Sequence, residues 1–175
     1  MSILKHLGLE PSDRPPGTPE TETVRRITEA LDRLDPDRAR YVAAFAYILS
    51  RVARADLKIS DPETRAMERI VAEQGGLPEE QAIIAVQIAK TQNKLFGGTE
   101  NFLVTREFNE IATREQKLAL LDCLFAVAAS EAMINTEEDN EISQIADELG
   151  LEHPDFIAVR LKYRDHLSFL NKPSE

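Results

Sequence analysis

Four carboxylates fall into two pairs with a single spacing. Asp56 is followed seven residues later by Glu63, and Glu131 is followed seven residues later by Glu138. Carboxylate clusters of this kind suit hard divalent cations, provided that the side chains converge. The pairs are embedded in a longer repetition. Residues 49–75 (LSRVARADLKISDPETRAMERIVAEQG) align without a gap to residues 124–150 (LFAVAASEAMINTEEDNEISQIADELG) at an offset of 75. Leu49/Leu124, Val52/Val127, Ala53/Ala128, Ile59/Ile134, Glu63/Glu138, Ile70/Ile145, Glu73/Glu148 and Gly75/Gly150 are identical pairs. A period this long describes two halves of one domain, not a short solenoid unit.

Helical elements must position these acids. Phe45, Leu49, Val52 and Asp56 follow one another at spacings of 4, 3 and 4, as do Leu120, Leu124, Val127 and Glu131. Such spacing traces one face of a helix. Asp56 and Glu131 are therefore expected to end buried stripes at helix C-termini. There a carboxylate faces the negative end of the macrodipole, at a cost of about 0.3–1 kcal/mol. The N-terminus of the next helix, or a cation, would offset it. Glu63 and Glu138 align with Met67/Ile70 and Ile142/Ile145 on the helices that follow. Each also has an ordinary structural explanation. Glu63 completes a capping box with Ser60, and Glu138 is a first-turn acid behind a Thr136 cap. If all four crowd together without a cation, mutual repulsion is expected to raise their pKa values.

The rest of the chain reads as helix. Helices are expected over about 20–34, from Pro36 to about Asp56, over 61–75, 78–93 and 102–111, from the Thr113–Gln116 capping box onward, over 136–149, and from His153-Pro154. Gly75-Gly76 and Gly150 are helix stops, and Gly97-Gly98 marks the join between halves. No segment alternates with period 2. The expected fold is an all-α bundle of about seven or eight helices in two pseudo-twofold-related halves. Residues 1–19 form a short segment and a proline-rich arm, 20–170 a single helical domain with its internal repeat at about 41–93 and 113–167, and 171–175 a tail. The prolines at 11, 15, 16 and 19 are expected to keep 10–19 out of any helix.

Composition narrows the function. A net charge of −10 disfavours nucleic acid and anionic lipid. The longest apolar runs are too short to span a bilayer. The single cysteine, Cys123, lies on an apolar stripe, which predicts an inert buried thiol and a reducing, cytoplasmic location. His6, His153 and His166 have no metal-ligand spacing. An EF-hand loop, a phosphate-binding glycine loop, G-x-S-x-G and H-E-x-x-H are all absent from the sequence. No catalysis and no organic cofactor are expected.

At this point the chain resembles a known family. An apolar helix, an acid-bearing turn, an isoleucine, a capping residue and a Glu occur twice: Ala55-Asp56, Ile59-Ser60 and Glu63, then Ser130-Glu131, Ile134-Asn135 and Glu138. Ile142, Ile145-Ala146, Leu149-Gly150-Leu151 and His153 extend the match. This pattern, over roughly Tyr41 to Leu167, resembles the TerB tellurite-resistance family. Two departures stand out. Leu57 and Ala132 occupy positions where that family usually has Gly, and Glu131 stands where it usually has Asp. The resemblance implies an α-helical pseudo-twofold bundle, an acidic cluster binding a divalent metal, a role in bacterial stress responses, and no established catalysis. The expectation is a non-catalytic protein that binds or senses a divalent cation through Asp56, Glu63, Glu131 and Glu138. The alternatives are a metal-free helical module that docks a protein partner and, more distantly, a metal-dependent carboxylate hydrolase.

Overall fold

The computed structural model describes residues 19–53, 60–92, 98–131 and 133–170, and the side chains within them except at 19–21, 92, 98–102 and 131. Among the described residues there are eight α-helices: α1 (Pro19–Asp32), α2 (Pro36–Val52), α3 (Asp61–Glu73), α4 (Glu79–Gln92), α5 (Gly98–Ile111), α6 (Arg114–Glu131), α7 (Thr136–Glu148) and α8 (His153–Leu161). A 3₁₀ turn, Arg164–His166, follows. The fold is all-α, as the sequence predicts. An isolated bridge between Ile134 and Leu167 is the one extended pairing among the described residues.

The repeat is visible in the packing. At the offset of 75 residues, α3 falls on α7 end to end. α2 packs on α4, and its counterpart α6 packs on α8. The halves then cross: α2 lies against α7, α6 against α3, and α2 against α6. α5 seats on α2 and α7, while α1 covers α4 and α2 through the buried Ile27 and Leu31. Each half has its own aromatic cluster. Tyr41 and Phe45 of α2 meet Phe108 of α5, with Tyr41 and Phe108 centroids 5.2 Å apart. Phe125 of α6 meets Phe156 of α8 and stacks on Tyr163 at 5.7 Å.

Several local expectations are met and several are corrected. The capping boxes at Ser60–Glu63 and Thr113–Gln116 form. Pro36 opens α2, although Asp35 makes no side-chain capping bond. Pro19 does join a helix, as the first residue of α1, because a missing N–H costs nothing in the first turn. α5 starts at Gly98, four residues before the expected Phe102, so the glycine pair does not keep Gly98 out of the helix. α2 ends at Val52, short of Asp56. It is also more than an amphipathic stripe: every residue from Tyr41 to Leu49 is buried. A helix apolar all round is the centre of its domain.

The repeated glycines perform different tasks. Gly150 follows α7 with φ of +67°, a conformation that favours glycine. In the first half that role falls one residue later, to Gly76 with φ of +70°. Gly75, the exact counterpart of Gly150, is required by close approach: a Cβ there would sit 2.5 Å from the Val71 carbonyl oxygen and 2.7 Å from Phe45 Cζ.

The strongest polar tie crosses the halves. Arg51, on the last turn of α2, has a side chain only 4% exposed. Its Nε donates to Glu141 at 2.7 Å, and its Nη1 donates to Glu148 at 2.7 Å and to the Thr105 hydroxyl at 2.9 Å. Burial works to lower the Arg51 pKa, but Glu148 and Glu141 outweigh it and hold it above the usual value. Burial likewise pushes Glu148 up, yet Arg51, Gln144 and Thr105 bring it net below the ordinary carboxylate value. Helices α2, α5 and α7 therefore meet at one guanidinium. Because a buried charge left without its partner is costly, Arg51→Ala is expected to lose about 3–5 kcal/mol of stability in chemical denaturation, and Glu141→Gln distinctly less. Glu148 has a depressed folded pKa, so its contribution is present at neutral pH and lost as pH falls through that lowered value. The Arg51→Ala deficit should accordingly shrink in acid.

Candidate functional site

The two acid-bearing turns end in the same way. Ser60 and Asn135, equivalent at the offset of 75, both adopt extended backbone, with φ/ψ of −66°/161° and −85°/173°. Each is an N-cap whose side chain accepts from the backbone N–H three residues on. Glu63 N–H reaches Ser60 Oγ at 3.4 Å, and Glu138 N–H reaches Asn135 Oδ1 at 2.9 Å. Each Glu reaches back in return. Glu63 Oε2 accepts from the Ser60 N–H and hydroxyl, both at 2.7 Å, and Glu138 Oε2 accepts from the Asn135 N–H at 2.9 Å. Asn135, not Thr136, is the cap of α7, so Glu138 is a full capping-box partner rather than only a first-turn acid.

These bonds place two of the four sequence-selected acids. Glu63 is exposed at the start of α3 instead of ending a core stripe, while Glu138 is half-buried. Glu131 is the last residue of α6, at the expected helix C-terminus, but its side chain lies outside the described residues. Asp56 also lies outside them. Among the described residues, no three His, Cys, Asp or Glu side chains come close enough to hold a metal ion. The crowding expected to raise the carboxyl pKa values does not describe Glu63. The Ser60 hydroxyl and then the Ser60 N–H hold it below the ordinary value.

Acids and bases that sequence reasoning passed over form the tight contacts nearby. Asp139, next to Glu138 and buried, takes a two-pronged contact from Arg160, at 2.7 Å from Nε and 3.0 Å from Nη2. The same guanidinium lies 5.1 Å from the Phe169 ring centre. Asp122 accepts from the Tyr163 hydroxyl at 2.8 Å, which joins α6 to the turn that follows α8. Burial and then Asp122 push the Tyr163 pKa up. Asp139 and Asp122 are thus structural acids. Cys123 is buried, and burial followed by Asp122 pushes its thiol pKa far up, which makes it unreactive as expected. His153 opens α8 beside Phe156, and His6 lies outside the described residues. Between α3 and α4 lies an open groove of about 770 Å³, lined among others by Arg65, Glu68, Arg69 and Glu73.

Removing the second cap by Asn135→Ala is expected to cost about 1 kcal/mol, read by denaturant unfolding at neutral pH. Ser60→Ala should additionally change the acid limb. The lowered folded pKa of Glu63 means that its capping contribution is present above the ordinary carboxylate range and lost as pH falls through the lowered value. The parent and Ser60→Ala should therefore differ at pH 7 and converge well below about pH 4.

Comparison with known proteins agrees with this architecture. No curated protein and no solved structure matches the chain. The family model described as tellurite resistance protein TerB matches residues 42–161, from the centre of α2 to the end of α8. That span takes in both capped turns and most of the 175-residue chain, which belongs to the TerB family.

Proposed function

We propose that this chain is a non-catalytic TerB-family protein of the bacterial cytoplasm. In this reading it binds a divalent cation through Asp56, Glu63, Glu131 and Glu138 and acts in stress or tellurite-resistance physiology. The observation that carries the reading is the matched pair of capping boxes. In both halves the Glu carboxylate is turned back toward the turn that bears the other acid, with Oε2 on the backbone N–H of Ser60 or Asn135. A carboxylate offers about four lone-pair positions, so the capping bonds leave Glu63 and Glu138 capacity for a hard cation. A second link favours proximity of the two turns. Arg51, five residues before Asp56, pairs with Glu141, three residues after Glu138. Arg51 also reaches Glu148, the last residue of α7, so the end of α2 is fastened along α7 from Glu141 to its C-terminus. Glu63 and Glu138 would hold the ion with Asp56 and Glu131, and the cation would supply charge neutralisation to an acidic surface.

A second reading is a metal-free module that docks a protein partner. It is favoured by the mixed-charge groove between α3 and α4 and by four exposed large apolar side chains, Leu103, Met133, Leu161 and Leu170.

Calorimetric titration with Ca²⁺, Mn²⁺ and Zn²⁺ separates the two. The cation reading predicts saturable heat in the parent, lost in Asp56→Asn/Glu131→Gln. It also predicts a gain in stability of about 2.7 kcal/mol at a hundredfold excess of ion over Kd, absent from the variant. No heat in the parent, or heat that survives the double substitution, overturns it in favour of the interaction module.

A further inference from the structure

The second acid-bearing turn is held by a segment whose equivalent in the first half is helix among the described residues. Ile134, between α6 and α7, is fully buried, so both of its backbone groups need partners. Both come from one short segment after α8. The Ile134 N–H donates to the His166 carbonyl at 2.7 Å, and the Ser168 N–H donates to the Ile134 carbonyl at 3.0 Å. Leu167, between them, is 2% exposed. The segment is anchored on both sides. Before it, Tyr163 stacks on Phe125 and donates to Asp122; after it, Phe169 lies against the Arg160 guanidinium that grips Asp139. In the first half, the positions equivalent to 164–167 are Ala89 to Gln92, and they are helical within α4. They run as helix where their counterparts form the 3₁₀ turn and bridge.

We propose that residues 164–168 form a strap that fixes the second acid-bearing turn, so that the C-terminal segment and the turn open together as one unit. Asn135 directly follows the strapped residue Ile134 and orients Glu138. The strap therefore sets the position of the Glu138 carboxylate, and release of the C-terminal segment relaxes it. The strap stands whether or not a cation binds; only its consequence for cation affinity rests on the function proposed above.

The test uses the full chain without added metal, so that it is independent of the cation titration. Amide hydrogen exchange is followed at Ile134 and, as a reference in the core of α6, at Leu124. Leu167→Ser removes the buried anchor. Ser168→Pro removes one donor while leaving Leu167 in place, and Leu167 already has the extended backbone, φ −81° and ψ 111°, that a following proline requires. In both variants the Ile134 amide is expected to exchange about tenfold faster, the scale of one lost hydrogen bond, with Leu124 unchanged. If Leu167→Ser does not fold, Ser168→Pro decides alone. Unchanged protection at Ile134, or Ile134 and Leu124 accelerating together, overturns the strap.

Discussion

A guanidinium almost entirely out of water is the constraint on which this structure turns. Arg51 is the penultimate residue of α2, the helix whose middle is buried on every side. Such a charge is tolerable only with good geometry and full pairing. Glu141, Glu148 and Thr105 provide that pairing, and they come from α7 and α5. Pairing of this kind is directional, so it fixes how the two halves sit against each other in a way that apolar contact alone does not.

The sequence is a near-symmetric repeat, but the ties that lock it are not symmetric. The counterpart of Arg51 is Ala126, and those of Asp139 and Arg160 are Thr64 and Ala85. The cross-half clamp, the Asp139–Arg160 contact and the Ile134–Leu167 bridge each occur once among the described residues. What is repeated is local: an extended N-cap, a reciprocal Glu, a helix of equal length. What is unique is long-range and polar. In sequence the two turns carry acid pairs of one spacing, Asp56/Glu63 and Glu131/Glu138, and the second turn is held by the C-terminal segment through Ile134.

Legibility from sequence follows the same division. Caps act over three residues, so Ser60–Glu63 and Thr113–Gln116 were readable directly, and the all-α class followed from helical spacing. Asn135 was readable as a cap within the repeat, but the neighbouring Thr136 competed for the role. Arg51 was not read, because its partners lie 90 and 97 residues away. A signal is nevertheless present: an Arg two residues beyond the uninterrupted apolar run Tyr41–Leu49 must either reach water or be paired. Spacing alone overstates the stripe toward Asp56, since α2 is buried on every side from Tyr41 to Leu49 and ends at Val52. The convergence of the four acids depends on Asp56 and the Glu131 side chain, which lie outside the described residues.

The central claim is that Arg51 makes the two halves one cooperative unit. Native-state amide exchange at increasing denaturant tests it most directly, by comparing amides in α3, from the first half, with amides in α7, from the second. The account predicts that both sets merge onto one global opening isotherm in the parent and separate into two when Arg51 is replaced. Separate isotherms in the parent, with α7 opening while α3 stays closed, would contradict it.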